Sequence, residues 1–519
     1  MLFRSLEIHE IKLSPDRVEF YLVDFKKGVE FKCYAIHKLP HARVVAIESD
    51  REFGLSVLER VDEELRRRGD LFRQLGVQDL AGYQRAGGVE PLPRTLLIVD
   101  EFQEFFVEDD RVSQTAALLL DRLVRQGRAF GIHVLLGSQT LGGAYTLARS
   151  TLGQMAVRIA LQCDEADALL IMNDDNTAPR LLSRPGEAIY NDSAGAIEGN
   201  SPFQVVWLSE EEREKWLKRI RGRDQQSVSP RTGPVVFEGN APADVRDNVL
   251  LRDLLHAASL HPQTAARTWL GAPNSIKGPT EVVFRRQSGN NLLIVGQHDE
   301  SAIAMLGLSL VSLAALHARG SARFVVLDVT PPDSRHREFL QKMIASVPHE
   351  VALVDNAGFA VILAGLEKEL RSPSESIDSG PSVYLLIHGL QRFKDLRYEE
   401  DFSVSLDETK VSPGIRLNQI ICEGTRAGFH VICTCDTANN VTRSLSRKAL
   451  SEFELRVLFQ MSANDSASLI DTPKAANLGL HRAILSNAPA GTLETFRPYA
   501  LPDSAWIDDA ARQLSRLLT

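Results

Sequence analysis

The sequence predicts an α/β fold, on two observations. Short runs of apolar and β-branched residues alternate along the 519 residues with longer stretches whose apolar side chains recur at helical spacing. Such alternation is typical of mostly parallel sheets flanked by helices. The order of runs also recurs in the second half of the chain, so we expect two tandem modules of one architecture.

The apolar runs of the first module predict strands separated by helices. The first strand is Val18–Asp24 and the second is Val44–Ile47. A charged helix is expected from Arg51 to Leu75, because its apolar residues lie at helical spacing. The other predicted elements are a strand ending at Asp100, a helix over 118–126, and strands over 132–136 and 157–161.

A polar segment containing Ser, Pro, Arg and Gly follows these elements. It covers residues 221–234 and is typical of a linker. The predicted organisation is therefore a first module over 1–220, a linker over 221–234 and a second module over 235–519.

Two segments of the first module reappear in the second at nearly the same distance. Residues 127–134 align with 425–431 so that His133 matches His430, 297 residues apart. Residues 157–162 align with 455–460 so that Arg158 matches Arg456, 298 residues apart. Because two independent segments give almost one register, we interpret the second module as a diverged copy of the first.

The strand of the first module that ends in Asp100 is followed directly by Glu101. A buried apolar strand that delivers two carboxylates to its carboxyl end is a Walker B pattern. In a P-loop ATPase the Asp holds the Mg²⁺ of the nucleotide, and a neighbouring Glu can polarise the attacking water. The matching phosphate loop, G-x-x-x-x-G-K-[ST], occurs nowhere in the 519 residues. An ordinary acidic strand end is the alternative interpretation.

The second module has a strand and a loop at the place of a phosphate loop, but different chemistry. The apolar run 291–295 leads into Gly296, Gln297, His298, Asp299, Glu300 and Ser301. A phosphate loop needs converging backbone N–H groups and a Lys, whereas Asp299 and Glu300 would repel phosphate. The run 384–389 ends in His388 and Gly389, where the first module has its carboxylate pair. We therefore expect this degenerate loop to bind no nucleotide in the usual way, and the module to be structural or regulatory.

Composition and charge indicate the class of protein only in general terms. The formal net charge of −9 predicts no global positive field for nucleic acid, although a local basic surface could still bind phosphates. The five cysteines show no paired metal-ligand spacing, which fits a reducing compartment. The longest apolar stretch, 303–316, is shorter than the roughly 20 residues that span a bilayer. We expect a cytoplasmic location, with any membrane association supplied by sequence or partners outside this chain.

Several motifs in order resemble the FtsK/SpoIIIE family of RecA-like motor ATPases, which includes the tandem-module ATPase of type VII secretion. They are the segments 21–31, 39–41, 63–68, 100–102, 127–133 and 138–139. The resemblance implies tandem RecA-like P-loop NTPase modules, with ATP and Mg²⁺ as cofactors. It also implies that this chain starts immediately downstream of its own Walker A loop, as a fragment or through a misassigned start.

The resemblance assigns roles to five residues. Asp100 would coordinate Mg²⁺ and Glu101 would orient water. Gln139 resembles the γ-phosphate sensor of the family, with a solvated loop amide as the alternative. Arg128 and Arg158 resemble positions that reach a neighbouring subunit's site in trans, where a guanidinium suits a phosphoryl oxygen. Arg128 could instead hold structure through a local carboxylate.

The function implied is ATP hydrolysis coupled to moving double-stranded DNA through a homo-oligomeric, hexameric ring. Two alternatives stay open. One is a protein-export ATPase like that of type VII secretion, whose partner would be an exported protein. The other is a RecA-like scaffold that hydrolyses nothing, or one that docks beside a subunit supplying the missing loop.

Overall fold

The computed structural model of this chain describes residues 13–26, 30–141, 149–225, 233–259, 265–371, 380–398 and 411–518. The chain divides into two compact units, Met1–Asn240 and Ala241–Thr519. Each unit has parallel strands with helices packed beside them, because apolar strands alternate with amphipathic helices along the sequence.

The main sheet of the first unit contains five parallel strands. They are β1 (Val18–Asp24), β2 (Ala42–Ile47), β3 (Arg94–Asp100), β4 (Ile132–Gly137) and β8 (Val235–Glu238), in the order β4-β3-β1-β2-β8. A separate antiparallel sheet has the order β5-β6-β7, with β5 (Arg158–Leu161), β6 (Glu187–Asn191) and β7 (Asn200–Gln204). The helices are α1 (Lys32–Ile36), α2 (Arg51–Leu75), α3 (Leu80–Arg85), α4 (Arg111–Gln126), α5 (Arg149–Gly153), α6 (Glu165–Ile171) and α7 (Glu210–Gln225).

The second unit is built on one ten-stranded sheet. Its strands are β9 (Ala266–Pro273), β10 (Thr280–Phe284), β11 (Leu292–Val295), β12 (Ala322–Asp328), β13 (Glu350–Val354), β14 (Ser382–His388), β15 (Phe429–Cys435), β16 (Leu455–Leu458), β17 (Ala483–Asn487) and β18 (Thr492–Pro498). Their order is β10-β9-β18-β17-β16-β11-β15-β14-β12-β13. The helices are α8 (Val249–Leu255), α9 (Asp299–Ala314), α10 (Arg335–Ala345), α11 (Phe359–Arg371), α12 (Pro413–Glu423), α13 (Ala438–Ser444), α14 (Arg447–Ser451), α15 (Ala463–Ile470) and α16 (Ser504–Leu517). Two apolar clusters bury its two faces.

The strand orders reveal the internal repeat directly. The order β15-β14-β12-β13 in the second unit equals β4-β3-β1-β2 in the first, and β16-β17-β18 equals β5-β6-β7. A buried contact repeats as well, because Arg158 and Arg456 each donate to main-chain carbonyls 3 and 6 residues earlier and 13 residues later. The two units are thus copies, as the sequence alignment indicates.

The division of the chain differs from the sequence-based boundaries by one strand. β8 pairs in parallel with β2, so its four residues join the first sheet and not the second module. The predicted linker 221–234 likewise begins inside α7, which ends at Gln225. Residues 226–232 of that linker lie outside the described residues. A sequence pattern gives no sign of which sheet a short exposed strand will join, since pairing depends on tertiary contacts.

Candidate active site

The predicted carboxylate pair lies at the carboxyl edge of the first unit's main sheet. β1 ends at Asp24 and β3 ends at Asp100, and these two residues are register partners across the parallel pair. Asp100 is also paired with Gly137, the last residue of β4. Ligands of open α/β sheets bind beyond this edge. The three strand ends therefore bring Asp24, Asp100 and the residues after Gly137 to one place.

Glu101 follows β3 in a strained backbone conformation. Its φ is 55° and its ψ is 45°, in the left-handed region that non-glycine residues rarely adopt. The residue is 3% exposed, and its Oε2 accepts from Lys26 Nζ at 3.0 Å and from Gln103 Nε2. The matching residue of the second unit is Gly389, with φ 72°, which tolerates this conformation at little cost. A strained glutamate where glycine fits points to a use for its carboxylate.

Asp24 is the most deeply buried acid of this edge, at 1% exposure. Its Oδ1 accepts from the Lys26 N–H at 3.0 Å, while its buried Oδ2 has no hydrogen-bond partner among the residues that the structure describes. Burial raises the pKa of Asp24 to about 7, and the nearby Asp100 and Glu101 reinforce the shift against the Lys26 hydrogen bond. Burial and the neighbouring Glu101 also raise the pKa of Asp100. The edge thus holds more negative charge than its neighbours neutralise.

This donor set fits a nucleotide-bound magnesium ion. Mg²⁺ in phosphate-transfer sites takes one or two carboxylates, with phosphate and water oxygens completing the octahedron. Asp100 and the unpartnered Asp24 oxygen offer such ligands. Among the described residues, no set of three or more His, Cys, Asp or Glu side chains is arranged to hold a metal ion unaided.

Two residues that the sequence analysis did not assign complete the contacts of Glu101. Gln103, in the short 3₁₀ helix Phe102–Phe106, is 7% exposed and links Glu101 to β4, since its Oε1 accepts from Ser138 Oγ at 2.7 Å. Lys26 lies just after β1, within the segment 21–31 that carries the family resemblance, and no sequence pattern assigns it a role. The spacing Glu101-x-Gln103 directly after the apolar strand was the one available signal for Gln103.

Gln139 is placed at the same edge but is not in contact with the carboxylates. It follows Ser138 at the end of β4 and is exposed. Its neighbour Ser138 donates to Gln103, which holds the main chain in place here. The Gln139 side chain itself is exposed to solvent. Its role as a γ-phosphate sensor stays a prediction.

The two predicted trans-acting arginines lie in different settings. Arg128 is exposed and precedes β4, so it lies at the opposite end of the strand from Ser138. Arg158 is turned inward, with Nε donating to Met155 O at 3.2 Å and Nη1 to Ile171 O at 3.1 Å. Burial lowers the pKa of Arg158. Its guanidinium is committed to main-chain carbonyls of its own unit, so we keep only Arg128 as a trans candidate.

We expect Arg158→Lys to destabilise the first unit by about 1–3 kcal/mol, because a lysine cannot donate to carbonyls on both sides of the turn at once. Arg456→Lys should have a similar effect on the second unit. Arg128→Lys is the control and should stay within about 0.5 kcal/mol of the parent. Hydrogen exchange in β5 and β16 measures both effects. If Arg158→Lys leaves exchange in β5 unchanged, the structural role of Arg158 is wrong.

At the carboxyl edge of the second unit, side chains of the same unit neutralise the buried carboxylate. Asp328, the counterpart of Asp24, is fully buried and accepts from His388 Nδ1 at 2.9 Å and from Arg337 Nη1 at 2.8 Å. Thr330 Oγ1 donates to the same carboxylate at 2.7 Å. Although burial opposes it, these three hydrogen bonds hold the pKa of Asp328 well below its usual range. The described residues leave negative charge unpaired at the carboxyl edge of the first unit. At the same edge of the second unit, Asp328 and its three donors form a closed cluster in which the charge is paired.

The degenerate loop of the second unit is short and filled by side chains. β11 ends at Val295 and α9 begins at Asp299, which leaves three connecting residues. Gly296 has φ 140°, and a Cβ there would lie 2.6 Å from Phe459 Cβ. His298 stacks on the Phe459 ring at a centroid distance of 5.2 Å. With Asp299 and Glu300 in the first turn of α9, the loop offers no cradle for a phosphate.

Part of this chain is similar in sequence to a known protein family and to several of its members. Residues 11–142 match the model of the FtsK/SpoIIIE family. The predicted resemblance is confirmed. The ESX-5 secretion system protein EccC5 of Mycobacterium marinum is 32% identical over 204 residues, 37% of this chain and 14% of EccC5. The DNA translocase FtsK of Streptococcus pyogenes serotype M1 is 26% identical over 248 residues, 45% of this chain and 29% of FtsK. The chain thus matches under a third of either relative's length.

Solved structures show a likeness of fold over almost the whole chain. The cytoplasmic domain of the type VII secretion ATPase EccC of Thermomonospora curvata aligns with a TM-score of 0.62 at 18% identity, covering 97% of this chain and 60% of that one. ATPases 2 and 3 of EssC from Geobacillus thermodenitrificans give 0.55 at 15% identity, covering 96% and 88%. These likenesses confirm the predicted fold of tandem P-loop ATPase modules. In the described part of the chain, no helix is both long and apolar enough to cross a membrane.

Proposed function

We propose that the first unit is the ATP-hydrolysing module of an FtsK/SpoIIIE-type motor. The supporting observation is the carboxyl edge with Asp24, Asp100 and Glu101, where three acids lie together and one buried Asp24 oxygen has no partner among the described residues. When bound, Mg²⁺ neutralises phosphate charge and fixes the nucleotide's orientation. Asp100 is its proposed ligand, with Asp24 beside it.

Glu101 is the proposed group that orients the attacking water. Its carboxylate is already aimed by Lys26 and Gln103, so the second oxygen, Oε1, is left to accept from a water. Gln103 ties this geometry to Ser138, and the next residue, Gln139, would face the terminal phosphate. A change at the phosphate would thus pass through Ser138 and Gln103 to Glu101.

The motor would act as a homo-oligomeric ring in the cytoplasm, with Arg128 reaching a neighbouring subunit's nucleotide. The polymer moved would be double-stranded DNA, since the relative FtsK is named a DNA translocase. A second candidate is an exported protein, because the tandem arrangement aligns with a type VII secretion ATPase and another such structure holds a signal sequence peptide.

We expect two results from nucleotide and polymer assays. The 519-residue chain should bind Mg·ATP weakly, with a Kd above about 100 μM, because neither a phosphate-cradling loop nor its Lys is present in the sequence. Protein purified from its source cells should hydrolyse ATP only with Mg²⁺. A DNA motor should lose roughly 10³-fold or more in DNA affinity between 50 and 200 mM salt, whereas a secretion ATPase should bind a substrate's signal peptide with little salt dependence.

Each of these expectations has an outcome that would contradict it. Mg·ATP binding by the 519-residue chain at micromolar Kd would show that the missing loop is not needed. Source-purified protein without any Mg²⁺-dependent hydrolysis would make the scaffold interpretation the better one.

A further inference from the structure

The second unit holds a polar cavity beyond the carboxyl ends of three of its strands. Its volume of about 720 Å³ is within the range of small-molecule sites. The loops after β12, β13 and β14 line it with polar side chains that include Thr330, Ser334, Asn356, Arg392 and Lys394. Residues 296–301, all of which the structure describes, do not line it, and β15 separates β14 from β11 in the sheet. The cavity is therefore a different place from the degenerate loop.

The segment after β14 can be compared residue by residue with the segment after β3, its counterpart strand in the first unit. Residues 389–393 align with 101–105 without a gap. Gln391 matches Gln103, and the last residue of each segment is a phenylalanine that is at most 1% exposed. Both segments form 3₁₀ helix directly after their strands. The register of the two edges is thus fixed by the chain itself.

In this register the second unit carries other side chains where the first unit carries acids. The first unit has Asp100, Glu101 and Glu104, and the second unit has His388, Gly389 and Arg392 at the same positions. Lys394, two residues after Arg392, adds a second cation. Carboxylates suit a metal cation, whereas a guanidinium and an ammonium suit an anion. The same edge of the fold therefore favours ligands of opposite charge in the two units.

Arg392 lies against Gly389, on the side where a side chain of residue 389 would begin. A Cβ on Gly389 would be 2.9 Å from both Cδ and Nε of Arg392. Arg392 Nη2 meets Asp299 Oδ2 at 3.5 Å, a contact too long to commit the guanidinium. Lys394 is exposed and forms no ion pair with a described residue. Both cations of the cavity can therefore turn to a ligand.

The acids near the cavity do not cancel these two cations. Asp328, at the end of β12, is already paired with Arg337 and His388. Asp395 is the one acid among the described lining residues. Helix α10 has its N-cap, Ser334, in the cavity wall, so the positive end of the helix dipole adds to the cations. The balance of charge in the wall favours an anion.

The lining indicates a small phosphate-bearing ligand. A guanidinium presents paired N–H donors that match two phosphoryl oxygens. Ser334 Oγ accepts from the His336 N–H at 3.3 Å, so its own hydroxyl proton can be donated to a ligand. An acidic peptide would also bury apolar side chains, whereas Val329 and Pro331 are the apolar members of the nine lining residues.

We propose that this cavity binds a small molecule that carries a phosphate group, with Arg392 and Lys394 contacting the phosphoryl oxygens and Ser334 donating a further hydrogen bond. Because the counterparts of Asp100 and Glu101 are not carboxylates, the ligand is bound and not hydrolysed. The proposal goes beyond the hydrolysis proposed for the first unit and does not depend on it, since every lining residue belongs to the second unit.

Isothermal titration of the 519-residue chain with pyrophosphate tests the proposal. EDTA is present, so that anion binding through Mg²⁺ at the acidic edge of the first unit does not contribute. We expect a Kd of about 1 mM or lower. The Kd should rise at least about 10-fold in Arg392→Glu and in the double variant Arg392→Gln, Lys394→Gln, because charge-assisted hydrogen bonds are lost.

A second double variant, Arg447→Gln, Lys448→Gln, is the matched control. It removes the same charge from two exposed residues of α14, in the same unit. Its Kd should stay within about 2-fold of the parent, because exposed charges outside the cavity contribute little. Equal weakening in the cavity and control variants would overturn the proposal, since it would reflect net charge alone. Absence of pyrophosphate binding up to about 10 mM would also overturn it.

Competition identifies the class of ligand. Glycerol 3-phosphate, a phosphate monoester, should displace pyrophosphate. Displacement by hexaglutamate at a lower concentration would overturn the small-molecule assignment in favour of an acidic peptide.

Hydrogen exchange on the unsubstituted chain gives a measurement that does not depend on a variant folding. Pyrophosphate should slow exchange at least about 3-fold in the first turn of α10 and in residues 390–396, and should leave β1 and β3 unchanged. Slowing confined to β1 and β3 would place the anion in the first unit and overturn the proposal.

Discussion

Replacing Asp328 by Asn should destabilise the second unit by about 3–5 kcal/mol at neutral pH, because it breaks a buried ion pair from one side. His388, Arg337 and Thr330 all donate to this fully buried carboxylate. An Asn side chain offers one acceptor oxygen and directs two N–H donors at groups that also donate. The Arg337 charge would then lie beside no compensating anion.

The counterpart change in the first unit should act in the opposite direction. Burial raises the pKa of Asp24 to about 7, above its unfolded value of roughly 3.9, so the folded state is penalised increasingly as pH rises from about 4 to 7. Asp24→Asn should therefore stabilise the first unit by about 1–3 kcal/mol at pH 8 and by almost nothing at pH 4. The Lys26 N–H keeps an acceptor in the variant.

The pH dependence of Asp328→Asn has the reverse sign. Since the folded pKa of Asp328 lies below its usual range, its stabilising contribution is present above the unfolded pKa and is lost as pH falls below that value. The destabilisation should accordingly be full at pH 7 and shrink on acidification below about pH 4. Hydrogen exchange of β1 and β3, compared with β12 and β14, separates the two units. Shifts in the same direction for both variants at pH 8 would contradict the charge balance described for the two edges.

Replacing Glu101 by Gln should reduce ATP turnover by about 10²–10⁴-fold in source-purified protein, while the Kd for Mg·ATP changes by less than about 3-fold. The amide is nearly isosteric with the carboxylate and can still accept from Lys26 and Gln103. It cannot, however, take a proton from water or polarise it as strongly. Initial-rate ATPase kinetics and nucleotide titration measure the two quantities separately.

Glu104→Gln is a matched control, because Glu104 lies three residues further on the same 3₁₀ helix and takes no part in the Lys26 and Gln103 contacts. Its turnover should stay near that of the parent. Glu101→Gly should lose turnover like Glu101→Gln while relieving the strain at φ 55°. Retained hydrolysis in Glu101→Gln would remove Glu101 from the mechanism.

The elements that the sequence predicted well are those whose pattern is local. The bounds of β1 and α2 were predicted to the residue, because an apolar run and a long helical period are both patterns of consecutive residues. Asp100 and Glu101 could be singled out for the same reason, since their motif is contiguous, and their catalytic roles stay predictions. The match of the two modules also followed from aligned segments and not from any single residue.

Features that depend on tertiary contacts could not be predicted from local sequence patterns. Arg158 resembled a trans-acting residue, yet its carbonyl partners come from residues 152–172 and only the fold brings them together. Gln103 lies in a 3₁₀ helix, where no strand or helix period marks a side chain that turns toward β4. The strand at 157–161 was predicted correctly as a strand, but its separation from the main sheet could not be predicted from its own residues.

The closed cluster around Asp328 also limits how the second unit could regain a carboxylate edge. His388→Asp alone would set a second acid against a fully buried one and remove its donor, while Gly389→Glu alone would add a strained acid to an edge without a cation site. Either single step raises the free energy of the fold before any nucleotide could compensate for it. A carboxylate edge like that of the first unit would need both changes together with a rebuilt loop at 296–301, so we expect no single substitution to give the second unit the carboxylates of the first.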